Sequence, residues 1–295
     1  MSTDVAGPLP GTDPVPVAAA RARRRPLTPS LTIGLVLVGL VVLLALVSFA
    51  WTPYDPTEVD ATSRLQGAGA DHLLGTDRLG RDVLSQIMWG ARTTLFVGVV
   101  AVGVAALVGT PLGVLAGMAP RAVDQLVMRA CDLLLAFPAL LLAIMLGAVF
   151  SASTLTAMIA IGVATAPAFA RMARGGTLQV MRSEYALAAR AAGRTRLAIA
   201  RRHVLPNIAP LLIVQASVAF GVAVLAEAAL SFLGFGTEPP TPSWGRMLQE
   251  SQETLHSAPM LSVWPGVAIA IAVLGFNMLG DGLRDRFDPR LDDRR

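Results

Sequence analysis

The 295-residue sequence predicts an all-α integral membrane protein of six transmembrane helices, and three observations carry that expectation. Hydrophobic residues make up 54% of the chain and charged residues only 15%, against roughly 45–50% and about 25% in soluble domains. With His taken as neutral, five stretches of 24 or more residues lack any charge: 26–54, 93–120, 133–170, 203–226 and 254–280. About 20 apolar residues cross the hydrocarbon core as a helix. Four stretches therefore hold one span each, and the third, 38 residues long, holds two. Finally, all 24 basic residues are arginine, and alternation through six spans places 19 of them on the side of Arg21, Arg23, Arg24 and Arg25, before the first span. Such an excess marks the cytoplasmic side, so both termini are expected there.

The same composition excludes other classes. A chain without lysine has no P-loop lysine and no Schiff-base nucleophile. Cys131 alone forms no intrachain disulfide, and His72, His203 and His256 are too dispersed to make a metal site. The net charge of +4 is a topology signal, since no folded basic domain is left over to bind nucleic acid. No Ser–His or paired-carboxylate arrangement lies within a span to support intramembrane hydrolysis, and nothing marks a channel filter.

Residues 1–30, rich in Pro, Ala, Gly and Arg, read as a disordered basic cytoplasmic arm. The first helix occupies 31–51. Its end, Ser48-Phe49-Ala50, resembles a secretory cleavage site, but the apolar run exceeds the ~7–15 residues of a signal sequence, which favours an uncleaved anchor. An external segment, 52–92, has turns at Gly75, Asp77 and Gly80 and an amphipathic interfacial helix over Asp82–Arg92. The core domain is 93–283. Its first span, about Leu95–Met118, carries Gly109, Gly113 and Gly117 on one face, where another helix can approach closely. Spans three and four, about Asp132–Phe150 and Leu155–Ala170, should be kinked by Pro138 and Pro167. Span five runs about Ile208–Leu230 and span six about Val263–Leu279. An external loop covers 231–262, and 284–295 is a cytoplasmic tail.

The inside loop 171–207 is the most informative segment, with eight arginines and the single acid Glu184. Ser183–Ala192 is Ala-rich and helix-prone. Gly193 permits a left-handed C-cap, a second basic helix follows over Thr195–Arg202, and Pro206 should stop it before span five. Two readings stand on this pattern alone: a hairpin that docks in a partner's groove, or a solvated basic loop that fixes topology.

Ala188-Ala189-x-x-x-Gly193, with Leu205-Pro206 following, resembles the EAA loop of ABC-importer permease subunits, Leu187 and His203 standing where the general pattern has Glu and Ile. Glu184-Tyr185-x-x-Ala188-Ala189-Arg190-Ala191-x-Gly193 and Arg202-His203-Val204-Leu205-Pro206-Asn207 resemble its dipeptide/oligopeptide/nickel branch, in the second, "C"-type permease. Three further segments resemble that branch: His72-Leu73-Leu74-Gly75-Thr76-Asp77-x-Leu79-Gly80-Arg81-Asp82-Val83; Leu230–Gly236 with Pro242-Ser243-Trp244-Gly245; and Phe276–Asp285 closing on Asp288-Pro289-Arg290.

The resemblance implies a type I ABC importer permease fold in a bacterial inner membrane. The chain would form half of a path for di- or oligopeptides beside a homologous second permease, two cytosolic ATPase subunits (or one two-domain ATPase) and an external substrate-binding protein. ATP and magnesium would bind the ATPase subunits, with no cofactor on this chain. Glu184, Ala188, Ala189, Arg190, Gly193, Leu205 and Pro206 would form the ATPase-docking surface. Gln215, Glu227 and Asn277, ionisable or polar residues within spans, are candidates for the path or a gate; interhelix hydrogen bonding competes for Gln215 and Asn277. Ser243, Trp244 and Gly245 are candidates for an external gate or a binding-protein contact. Two alternatives remain: a permease for nickel or another small solute, and a stand-alone secondary transporter, which would not need the hairpin.

Overall fold

The computed structural model describes residues 28–150 and 153–287. The basic arm before Thr28, most of the Ser151–Ser153 turn and the Asp288-Pro289-Arg290 motif lie outside the described residues. Helix α1 spans Pro29–Ala50, α2 Val83–Met118, α3 Arg121–Ala136, α4 Ala139–Phe150, α5 Thr154–Met181, α6 Glu184–Ala191, α7 Arg196–Ile199, α8 Leu205–Phe232, α9 Trp244–Ser251 and α10 Met260–Phe287. Among the described residues five uninterrupted helical segments are long and apolar enough to cross a membrane: α1, α2, α5, the α7–α8 rod and α10. The chain is a multi-pass membrane protein.

The helices pack through small residues, as expected where lipid and side chain are equally apolar. The glycine face of α2 receives α5: a Cβ at Gly109 or Gly113 would strike the Ala166 or Ala170 carbonyl, and one at Gly117 would meet Thr177. Helix α10 lies between α1 and α8, with Gly275 and Gly282 against Leu37 and Leu31. Helices α2, α5 and α10 continue through Pro111, Pro167 and Pro265.

Three expectations are corrected. Asp132–Phe150 is not one continuous kinked helix. It breaks between α3 and α4, which meet at 86°, because Pro138 offers no N–H and pushes Phe137 into an extended conformation (φ −86°, ψ 131°). Helix α4 has 12 residues, about 18 Å, too short to cross a ~30 Å core by itself. The charged side of α3 is held to α5 by Arg174, forked onto Asp124, and by Arg171 on Asp132 at 2.5 Å. Asp82–Arg92 is not a separate interfacial helix: Asp82 Oδ2 caps α2 by accepting the Ser85 N–H at 2.7 Å, and the following residues are its first turns. Pro206 does not stop the second hairpin helix. A π-turn over Ala200–Val204, in which the Leu205 N–H reaches the Ala200 carbonyl, joins α7 to α8 as one helical stretch, Arg196–Phe232; the wider turn makes room for the proline ring.

The segment 52–82 folds around Asp77. Its carboxylate accepts the N–H groups of Leu79 (2.8 Å) and Arg81 (3.0 Å), Arg81 Nε (2.6 Å) and Gln86 Nε2 (3.1 Å). Arg81 also donates to Glu250 of α9, and Arg246 meets the same carboxylate at 2.8 Å. Burial works against the Arg81 charge, but Asp77 and Glu250 outweigh it and raise its pKa above the ordinary arginine value.

Candidate functional site

The α6–α7 hairpin is built from local rules. Helix α6 ends in a Schellman closure: the Gly193 N–H donates to the Arg190 carbonyl at 2.9 Å and the Arg194 N–H to the Ala189 carbonyl at 3.1 Å. Gly193 adopts φ +73°, a conformation open to glycine and costly for other residues. Thr195 then caps α7, its Oγ1 accepting the Ala198 N–H. The two arms meet at Tyr185 and His203, whose rings lie 5.9 Å apart.

One face of the hairpin is anchored and the other bare. Ala186 is buried, and Ile199, Ala200 and Val204 pack with Val180 and Met181 of α5, Val114 of α2 and Ile208 of α8. Ala189 leans against this cluster, whereas Glu184, Ala188 and Arg190 are exposed. The bare face also carries Leu187, 51% exposed, and Leu197, 64% exposed, among Arg194, Arg196, Arg201 and Arg202. Leu205 and Pro206 sit past the π-turn on the exposed side of the rod. Apolar side chains ringed by arginines, with Glu184 the one acid, suit a groove with an apolar floor and acidic rim.

Beside the hairpin lies a cavity of about 730 Å³, lined by Gln179, Ser183 and Tyr185, by Asn207 and Gln215 of α8, and by Arg284 of α10. Of the three polar residues expected on a path or gate, only Gln215 borders it. Asn277 faces Gly221 between α8 and α10. Glu227 is 1% exposed: its Oε1 accepts from Ser231 Oγ at 2.7 Å and Thr237 Oγ1 at 3.3 Å, tying the end of α8 to the loop after it. Ser243, Trp244 and Gly245 lie inside the fold. Ser243 caps α9; Trp244, 1% exposed, covers Gly90 and donates from Nε1 to the Ile87 carbonyl at 3.0 Å; Gly245 rests on the Ala228 backbone.

The chain as a whole is similar to known proteins. The family described as "Binding-protein-dependent transport system inner membrane component" matches residues 109–293. The chain belongs to this family. It is 42% identical over 259 residues, 88% of this chain and 85% of the relative, to the dipeptide transport system permease protein DppC of Alkalihalophilus pseudofirmus. It is 41% identical to the glutathione transport system permease protein GsiD of Pectobacterium atrosepticum, covering 87% of each chain. With the di/tripeptide permease DppC of Pseudomonas aeruginosa it shares 40% identity over 88% of this chain and 87% of that one. In fold it resembles a chain of the MetNI methionine ABC transporter in an inward-facing form, with TM-score 0.57 and 21% identity over 69% of this chain and 97% of that one. The fold is therefore that of an ABC importer permease.

Within this transport-permease framework, sequence reasoning missed several contributors. Leu187 and Leu197 were legible as large apolar residues on an Ala- and Arg-rich helix pair. Arg284 and Gln179 carried no local signal, because the cavity arises from the meeting of α5, α8 and α10. The Asp77–Arg81–Glu250 cluster joins residues about 170 positions apart.

Proposed function

We propose that this chain is the membrane-spanning permease subunit of a peptide ABC importer in a bacterial inner membrane, forming half of the translocation path. The observation that carries the reading is the Schellman-closed hairpin, anchored at the base of the α7–α8 rod with its Leu- and Arg-bearing face bare. The names of the relatives, for dipeptides, di/tripeptides and glutathione, support a peptide cargo.

In this reading the bent α3–α4 pair acts as one span, giving six, with both termini and the hairpin in the cytoplasm. The partners are a homologous permease, two ATPase subunits that bind ATP and magnesium, and an external binding protein. Hydrolysis takes place on the ATPase subunits. ATP acts on this chain only through the difference in affinity between closed and open arrangements of the docked hairpins. Glu184, Ala188, Arg190 and the exposed leucines contact the ATPase, while Ala189, Gly193, Leu205 and Pro206 shape and seat the hairpin. Gln215 borders the path at its inner mouth. Glu227, Trp244 and Gly245 hold the outer end together, and Asn277 packs between α8 and α10.

Affinity purification of the tagged chain in mild detergent, with mass spectrometry of its partners and an ATPase assay, tests this. A second permease and ATPase subunits should be recovered with vanadate-sensitive hydrolysis. A homomeric chain that transports without them would overturn the proposal in favour of a secondary transporter.

A further inference from the structure

At the outer ends of α1 and α2 stands a cation with no anion beside it among the described residues. Arg78, Arg81 and Arg246 of the outer half each meet a carboxylate. Among the described residues Arg92 meets none. Its Nε donates to Ser48 Oγ at 2.6 Å, and the Ser48 hydroxyl spends its own proton on the Ala45 carbonyl at 2.7 Å, so the serine is an acceptor and the guanidinium is held in one orientation. The guanidinium carbon lies 4.1 Å from the Phe49 ring centroid and 4.2 Å from that of Trp89, distances at which aromatic faces hold a cation. The two Nη groups, the fork of the side chain, donate to no acceptor among the described residues.

The level of this group decides its ligand. Ser48 is in the last turn of α1, and Arg92 immediately precedes the charge-free run 93–120. The guanidinium thus sits at the boundary of the hydrocarbon, where lipid phosphates lie. Phe49 is 70% exposed and Trp51 60% exposed, on the scale of the aromatic belts that mark such boundaries. A planar guanidinium fork matches phosphate oxygens in a bidentate manner.

We infer that Arg92, oriented by Ser48 and flanked by Phe49 and Trp89, binds the phosphate of an outer-leaflet phospholipid headgroup. The bound lipid caps the α1–α2 seam, and Phe49 and Trp51 lie against its acyl and glycerol portions.

The test is native mass spectrometry of the tagged full-length chain with its co-purifying subunits, titrated with short-chain phosphatidylglycerol and, separately, with inorganic phosphate. Wild-type protein should bind one lipid at a saturable site on this subunit, and inorganic phosphate should not displace it. Arg92→Gln should weaken that binding about fivefold or more, the effect expected of one basic residue at a membrane surface. Arg92→Lys, which keeps the charge and loses the fork, should fall between the two. Equal lipid binding by wild type and Arg92→Gln would overturn the site. Wild-type affinity in Arg92→Lys would reduce it to unspecific charge attraction, and displacement by inorganic phosphate would replace the lipid with a free anion. Should Arg92→Gln fail to fold, the Arg92→Lys comparison decides.

Discussion

Replacing Gly193 isolates the hairpin turn from everything else in the chain. A Cβ at this position would meet nothing within 4 Å, so a substitution causes no collision and perturbs only the backbone, fixed at φ +73°. A left-handed conformation costs an L-residue roughly 1–2 kcal/mol, with Asn penalised least and a β-branched residue most. That energy acts on a helix of eight residues, shorter than the ~12–15 at which an isolated helix becomes even marginally stable. A shift of 1–2 kcal/mol changes the ratio of closed to open hairpin by about 5- to 30-fold. The expected order of damage is therefore Val, then Ala, then Asn. The assay is peptide uptake per ATP hydrolysed in proteoliposomes containing the partner subunits, at equal subunit content. Gly193→Val should lose coupling by that factor while the thermal midpoint of the membrane domain stays put. Full coupling in Gly193→Val, or damage from Asn equal to that from Val, would refute the argument.

Four other perturbations have defined outcomes. Trp244→Ala should lower stability by about 3–5 kcal/mol, the range for emptying a large buried aromatic site, read as a drop in the thermal midpoint in detergent. Glu250→Leu takes one of two carboxylates from buried Arg81 and the Glu250 partner from Arg246, and should lower stability, read as the thermal midpoint, by less than the ~3–5 kcal/mol of a fully unpaired buried charge; an unchanged midpoint would count against the network. Exchanging the charges of Arg174 and Asp124 should restore the α3–α5 contact that Asp124→Arg alone destroys, measured by protease resistance of the α3–α4 segment. Ile208→Ala empties the notch that its Cγ2 fills against Gly176; hydrolysis should continue while uptake per ATP falls, and an unchanged ratio would count against the anchored-hairpin mechanism.

The major spans were legible because charge is scarce where lipid is the solvent, and the α2–α5 seam because glycines recur every fourth residue. Gly193 was legible because few other residues adopt its conformation. Helix α3 was not. It carries Arg121, Asp124, Arg129 and Asp132, and charge counting starts the span only at Leu133; what lets its acidic residues pack against α5 is pairing with Arg174 and Arg171, some 40 to 50 residues away. The π-turn before Pro206 was illegible for a related reason: a proline rule predicts a missing hydrogen bond, but whether the chain breaks or widens by one residue depends on the packing of Ile199, Val204 and Ile208 on α5. Ser243-Trp244-Gly245, which follows a proline-rich turn, read as an external gate or a binding-protein contact. Its burial depends on room left by Gly90 and Ala228, and that fit exists only once α2 and α8 are side by side.

These elements together make a lever rather than a collection of contacts. The α7–α8 stretch of 37 residues measures about 55 Å. At its base, Ile199, Ala200, Val204 and Ile208 lock the hairpin to α5, so a displacement applied to the bare Leu–Arg face moves α5 and α8 together instead of bending the hairpin away. Because α5 is joined backbone to backbone with α2 at Gly109 and Gly113, α2 must follow. At the far end Glu227, Ser231 and Thr237 tie the rod to the loop that leads into α9, Trp244 ties α9 to α2, and Arg81 ties α9 to the segment just before α2. Close-packed interiors rearrange between discrete states rather than deforming continuously. In the proposed importer, a chain fastened at both ends in this way would answer a push at the hairpin by tilting as a unit and would open the cavity beside Gln215 and Arg284.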